Sequence, residues 1–137
     1  MDGVGIDLIE IARVRQAVDR WGDRFLNRIF TPAEVDYCRQ RKDPYPSLAA
    51  RFAAKEAVMK SLGTGWSTGI KWTDIEIGRN TDGPPFVRVT GRAQELVGRR
   101  TVLVSLSHTA DYAVAAVTLV AHQTGTSDDA GTATGQD

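Results

Sequence analysis

The sequence predicts an α+β fold in which an N-terminal strand and a set of helices pack on a small antiparallel sheet. Three observations predict it. Apolar residues alternate over residues 4–8 and then recur every three or four residues from Ile11, so the period changes from that of a strand to that of a helix. Helix caps and breakers divide the stretch up to Gly63 into further helical segments. Beyond Gly69, β-branched residues gather into short runs separated by turn sequences.

Taken in order, Val4, Ile6 and Leu8 alternate with Gly5 and Asp7, which predicts a short strand burying the Val4, Ile6 and Leu8 face and placing Asp7 on the other. Ile11, Val14, Val18, Trp21 and Phe25 form the stripe of an amphipathic helix that Gly22 divides or leaves whole. Thr31-Pro32-Ala33-Glu34 reads as an N-cap, a proline at the first helical position and a capping-box glutamate, opening a helix to about Arg41. After Pro44 and Pro46, Ser47 is positioned to cap an alanine-rich helix over residues 48–62, closed by Gly63. A hairpin follows, with strands over residues 70–77 and 86–89 joined through Asn80-Thr81-Asp82-Gly83. A short helix over residues 92–97 leads to an antiparallel pair over residues 102–107 and 112–120.

The chain has 137 residues, 42% hydrophobic and 25% charged, enough for one domain with a modest core. Seventeen basic residues balance seventeen acidic ones, so no global field points to nucleic acid or an anionic membrane. Residues 123–137 hold Asp128, Asp129, Asp137 and no base, so the first 122 residues carry 17 positive against 14 negative charges. We read residues 1–122 as the domain and 123–137 as a disordered acidic tail without the apolar residues to bury a face. The single cysteine, Cys38, excludes an intramolecular disulfide, and two histidines make a thiolate or imidazole zinc cage a poor fit. The N-terminal apolar run lacks a basic leader and is broken by Asp7 and Glu10, which predicts a cytoplasmic protein.

Asp7 lies in an apolar strand, where a carboxylate needs a cation, a metal or several donors to offset desolvation; a local structural role satisfying the next helix is the alternative. Glu56 and Lys60 are four apart and share a helix face with Ala53 and Ala49, either as a solvated ion pair or as part of a site. Lys55 falls within the Leu48, Phe52, Met59 and Leu62 stripe, where its ammonium must snorkel or find a carboxylate. Two distant carboxylates, a lysine one turn on and the Gly63-Thr64-Gly65 loop suit a magnesium and phosphate site, since Mg²⁺ takes hard oxygen ligands, water and substrate phosphates. The loop follows a helix C-terminus and has no Walker A order, so the metal and Lys60 must outweigh an unfavourable helix dipole.

Three motifs then resemble a known family. Gly5-Ile6-Asp7, the block from Arg51 through Phe52, Lys55, Glu56 and Lys60 to Leu62-Gly63-Thr64-Gly65, and Ser105-Leu106-Ser107-His108 are similar to those of the holo-acyl-carrier-protein synthases, the small 4'-phosphopantetheinyl transferases. The resemblance runs from residue 3 to about residue 120, and it implies the phosphopantetheinyl transferase fold. It implies transfer of 4'-phosphopantetheine from coenzyme A to a serine of apo acyl carrier protein, releasing adenosine 3',5'-bisphosphate, in fatty acid or polyketide biosynthesis. By that similarity Asp7 and Glu56 would ligate Mg²⁺ and Lys60 would hold the reacting phosphate, with Glu56, directly or through a water on the metal, accepting the serine proton. Ser61, Gly63, Gly65, Pro84 and His108 would line the coenzyme A cleft; for His108 a turn histidine bonded to backbone is the alternative. The family further implies a homotrimer with active sites at its subunit interfaces, and Arg13, with Arg20 second, as contacts for the acidic carrier protein. Ile9 stands where the larger transferases carry a third acidic ligand, as expected of the small type, and Phe52 replaces a tryptophan common in relatives. Arg24 joins the arginine stripe only if the first helix continues through Gly22.

Overall fold

The computed structural model describes residues 2–63 and 68–121, so Gly65, His122 and the tail expected over 123–137 lie outside the described residues. The element order is β1 (Gly3–Glu10), α1 (Ile11–Trp21), α2 (Asp23–Ile29), α3 (Pro32–Arg39), α4 (Tyr45–Leu62), a 3₁₀ turn (Trp72–Asp74), β2 (Ile75–Arg79), β3 (Pro85–Val89), α5 (Gly91–Val97), β4 (Thr101–His108) and β5 (Tyr112–Val120). Strands β1, β5 and β4 form an antiparallel sheet with β5 in the centre, and β2 and β3 form a separate hairpin. Asp7 pairs with Ala115 and His108 with Ala113, so both stand on the same sheet, on the two strands flanking β5. Helix α4 crosses this sheet against β1 and β5. An α+β fold is therefore present.

The expected orientation of β1 is reversed. Val4, Ile6 and Leu8 are 73%, 62% and 63% exposed, and it is Gly3, Gly5, Asp7 and Ile9 that turn inward. The reason lies in α4, whose packed surface is Ala49, Ala50, Ala53, Ala54 and Ala57, all buried. A Cβ added to Gly5 would stand 2.0 Å from the Ala57 carbonyl oxygen, and one on Gly3 2.1 Å from that of Ser61. Glycine lets strand backbone lie on helix backbone, and the larger apolar residues are left on the outer face. That outer face extends over the sheet, where Ile6 pairs with Ala116, Leu8 with Val114 and Val4 with Thr118.

Gly22 does divide the first helical stretch. Its φ of 57° ends α1 and starts α2, so Trp21 is half exposed and the expected continuous stripe is broken between Arg20 and Arg24. Helix α4 begins at Tyr45, before Ser47, because Pro46 occupies its first turn, where a missing N–H costs nothing. The strand expected over 70–77 starts only at Ile75, the preceding residues Trp72–Asp74 forming the 3₁₀ turn.

The capping box at Thr31 is present: the Glu34 N–H donates to Thr31 Oγ1 at 3.3 Å and the Thr31 N–H to Glu34 Oε1 at 2.9 Å. The same carboxylate supplies the partner that Lys55 requires, with Lys55 Nζ 2.9 Å from Glu34 Oε1 and both side chains fully buried. Lys55 also donates to the carbonyls of Trp72, at 3.1 Å, and Ile75, while the Ile77 N–H donates to Glu34 Oε2 at 2.7 Å. Desolvation lowers the Lys55 pKa below the usual lysine value, and Glu34 opposes that shift. The pair thus ties α3, α4 and the β2–β3 hairpin together.

Cys38 is also fully buried, and loss of solvent around it pushes its thiol pKa up. The native protein is expected to resist iodoacetamide at neutral pH and to take up one equivalent when denatured. Rapid native alkylation, read by intact mass, would contradict that packing.

Candidate active site

Asp7 is held midway along β1 with its carboxylate turned toward α4, and Gly3 and Gly5, which precede it on the same face, bring the two backbones close enough for Lys60 to reach across. Lys60 Nζ donates to Asp7 Oδ1 and to the Ile6 carbonyl, both at 3.0 Å. The Asp7 side chain is 19% exposed and that of Lys60 56%, so the pair sits at the rim of a groove and not within the core. Glu56, one helical turn before Lys60, lines the same groove of about 400 Å³ together with Asp7, Arg13, Phe25 and Phe52. Residues from β1, α1, α2 and α4 that are far apart in sequence are therefore gathered at one place, with two carboxylates and Arg13 lining the groove and Lys60 bonded to Asp7 at its edge.

The groove continues along aromatic side chains. Phe25 and Phe52 also line an apolar groove of about 570 Å³ with Trp21 and Trp72, edged by Arg24 and Arg28. Phe52 stacks between Phe25, at 6.5 Å between ring centres, and Trp72, at 5.0 Å. Arg20 lies over the Trp21 ring at 5.1 Å. Arg13 thus lines the groove of the two carboxylates, whereas Arg20, Arg24 and Arg28 border the aromatic extension.

His108 stands elsewhere, in a groove of about 600 Å³ whose lining includes four cations, Arg41, Lys42, Arg51 and Arg79, against one carboxylate, Asp43. Its Nδ1 is 3.3 Å from the Thr109 carbonyl, so the histidine both meets backbone and faces the groove. Arg51 is 3% exposed, stacks 4.4 Å over the Tyr37 ring and has an Nε without a hydrogen-bond partner among the described residues. A buried guanidinium with an unused donor at the wall of a basic groove suits an anionic ligand. The two charged grooves have no lining residue in common.

The remaining expected cleft residues are placed differently. Ser61 is buried and its hydroxyl donates to the Val58 carbonyl at 2.7 Å, so that oxygen is occupied by its own helix. Gly63 caps α4, Pro84 follows the turn at the tip of the β2–β3 hairpin, and Gly65 is outside the described residues.

Residues 3–117 match the sequence model of the 4'-phosphopantetheinyl transferase superfamily. Among curated proteins, the holo-[acyl-carrier-protein] synthase of Koribacter versatilis is 48% identical over 120 residues, 85% of this chain and 96% of that protein. The chain belongs to the 4'-phosphopantetheinyl transferase superfamily. The synthase of Desulforudis audaxviator is 53% identical over 116 residues, covering 82% of this transferase and 88% of its own length. Among solved structures, a holo-(acyl-carrier-protein) synthase from Bacillus anthracis, in complex with CoA (3',5'-ADP), superposes with a TM-score of 0.74 at 33% identity, over 88% of this chain and 96% of that one.

The four cations around His108 are the part of this transferase that sequence reasoning missed. Arg41-Lys42 ahead of Pro44 was visible as a basic pair. Arg51 was hidden because a guanidinium in an alanine-rich helix reads as a solvated residue, and only the packing against Tyr37 shows that it is buried.

Proposed function

We propose that this chain transfers 4'-phosphopantetheine from coenzyme A to a serine hydroxyl of apo acyl carrier protein, with the centre formed by Asp7, Glu56 and Lys60. The observation that carries the reading is the contact of Lys60 with Asp7 in a groove that Glu56 also lines. In the reaction the serine oxygen bonds to the phosphorus that carries pantetheine, and the bond from that phosphorus to adenosine 3',5'-bisphosphate breaks. Glu56 takes the serine proton, which needs a carboxylate within reach of the attacking oxygen. Lys60, on a half-exposed side chain held by Asp7 and the Ile6 carbonyl, carries positive charge to the phosphate oxygens as their charge grows.

The donor set fits Mg²⁺. Asp7 and Glu56 offer hard carboxylate oxygens at a solvent-accessible groove, and no cluster of three His, Cys, Asp or Glu occurs among the described residues. Two protein ligands suit an ion that fills its shell with water and substrate phosphate. Bound there, Mg²⁺ would neutralise pyrophosphate charge and orient it for in-line displacement. A chelator is expected to abolish transfer and added Mg²⁺ to restore it; full turnover in excess chelator would remove the metal from this reading.

The basic groove at His108 suits the nucleotide end of coenzyme A, whose phosphates match Arg41, Lys42, Arg51 and Arg79. That groove and the Asp7 groove are separate within one chain, and the outer sheet face bearing Val4, Ile6 and Leu8 is apolar and uncovered. Both observations support a homotrimer that covers this face and completes each site with a neighbour's residues. Fatty acid or polyketide carrier proteins in the cytoplasm are the substrates this reading names. Among the described residues no helix is long and apolar enough to cross a membrane.

The carrier protein is acidic around its serine in this reading, and Arg13, beside Asp7 and Glu56, is the cation placed to meet it. Arg20 lies seven residues on along α1 and serves as a second contact. Arg13→Glu is expected to raise KM for carrier protein about tenfold or more and to weaken the salt dependence of the rate, with KM for coenzyme A little changed. An unchanged carrier-protein KM at low ionic strength would place docking elsewhere.

A further inference from the structure

We propose that the buried Glu34–Lys55 pair is a positioning device that sets the rotation of α4 about its own axis, and thereby aims Glu56 and Lys60 at Asp7. The inference rests on the roles given above to Glu56 and Lys60. It starts from a weakness of α4. Where this helix meets the sheet it presents alanines, and β1 opposes them with Gly3 and Gly5. Small side chains allow close approach but raise no ridges, so this contact leaves the turn of the helix to its other faces, where Lys55 stands beside the buried Leu48 and Met59 and is the one of the three whose partners are directional.

Lys55 supplies what the alanines lack. Its ammonium reaches three acceptors from other parts of the chain: Glu34 Oε1 at 2.9 Å, the Trp72 carbonyl at 3.1 Å and the Ile75 carbonyl. Glu34 is itself held by the backbone N–H groups of Thr31, at 2.9 Å, and Ile77, at 2.7 Å. Neither side chain of the pair reaches solvent. Turning α4 would therefore leave buried charges or backbone groups unpaired, and only one rotation satisfies them all. Glu56 follows Lys55 directly, about 100° around the helix, and Lys60 lies about 40° further on. A turn of α4 by about 20° would carry a side-chain tip roughly 2 Å, given a helix radius of about 5–6 Å with side chains. Misplacement of about 1 Å at a reacting centre is enough to slow chemistry by about a hundredfold.

Two variants test the proposal. Glu34→Asp keeps both charges but withdraws the carboxylate by one methylene. The double variant Glu34→Gln with Lys55→Met removes both charges together, so no charge is stranded in the core. Each is assayed for transfer, normalised to the fraction folded, beside Lys60→Met and Glu56→Gln. The expected result is a kcat about tenfold or more below wild type in Glu34→Asp, with KM for coenzyme A within about threefold, and the same split in the double variant. Unchanged kcat per folded molecule in Glu34→Asp, while Lys60→Met is slow, overturns the positioning role alone. Wild-type kcat in both Lys60→Met and Glu56→Gln overturns the reading of the site, and the positioning role with it. If the double variant fails to fold, Glu34→Asp decides; if neither folds, the pair serves folding only and the proposal is overturned.

Discussion

Asp7→Ala and Glu56→Ala are each expected to lower transfer by about two to three orders of magnitude while leaving the fold intact. Each removes carboxylate oxygens from the groove where pyrophosphate charge must be met, and Glu56→Ala also removes the proposed proton acceptor. The fold should survive for a reason visible in the geometry. The Lys60 side chain is 56% exposed, so losing Asp7 leaves an ammonium that water can solvate, and such a rim pair contributes only about 0–1 kcal/mol. Glu34→Ala provides the contrast, since it would strand the Lys55 ammonium in the core, where breaking a buried pair costs about 3–5 kcal/mol. Circular dichroism melts should thus separate the two kinds of carboxylate. A melting temperature near wild type with transfer lost marks Asp7 and Glu56 as parts of the site; near-normal turnover in either variant at ordinary Mg²⁺ would remove that residue from it.

Ile6→Asp is expected to have an effect of similar size by another route. Ile6 is 62% exposed on the outer sheet face, so in an isolated chain this is a surface substitution worth about 0.5 kcal/mol or less. In an assembly that covers the face, the same change buries an unpaired carboxylate in every copy, at several kcal/mol each. Sedimentation should show the wild type as a trimer and the variant as a monomer, with transfer falling alongside the loss of assembly. A wild type that sediments as an active monomer would contradict the assembly, as would a fully active trimeric variant.

The helical half of the fold was legible because its signals are local. Thr31-Pro32-Ala33-Glu34 marked a helix start that the backbone bonds reproduce, and Gly63 marked the end of α4. Gly22 was correctly seen as a possible divider, but its outcome depended on whether packing would hold Trp21 and Phe25 on one stripe. Strand β1 was misoriented because alternation names two faces without saying which is buried. The deciding fact is the fit of glycine backbone against Ala57 and Ser61, a contact between residues more than fifty positions apart. The same holds for Lys55: its need for a carboxylate was legible, whereas Glu34 as that carboxylate was not, because Glu34 was already accounted for in its own helix cap. For the candidate site, Asp7, Glu56, Lys60 and Arg13 were named from the sequence; Asp7, Glu56 and Arg13 line one groove, and Lys60 bonds to Asp7 at its edge. The cations around His108 depend on α3, α4, β2 and β4 meeting, and no local pattern announces that.

The central claim is that the groove of Asp7, Glu56 and Lys60 carries phosphopantetheine transfer. Its most direct test is intact-mass spectrometry of an apo acyl carrier protein after incubation with coenzyme A, Mg²⁺ and this protein, run in parallel with Asp7→Ala. The account predicts that the carrier gains the mass of one phosphopantetheine with the wild type, on its serine, and gains nothing with the variant over the same time. A carrier of unchanged mass with folded wild-type protein, or equal modification by Asp7→Ala, would contradict it.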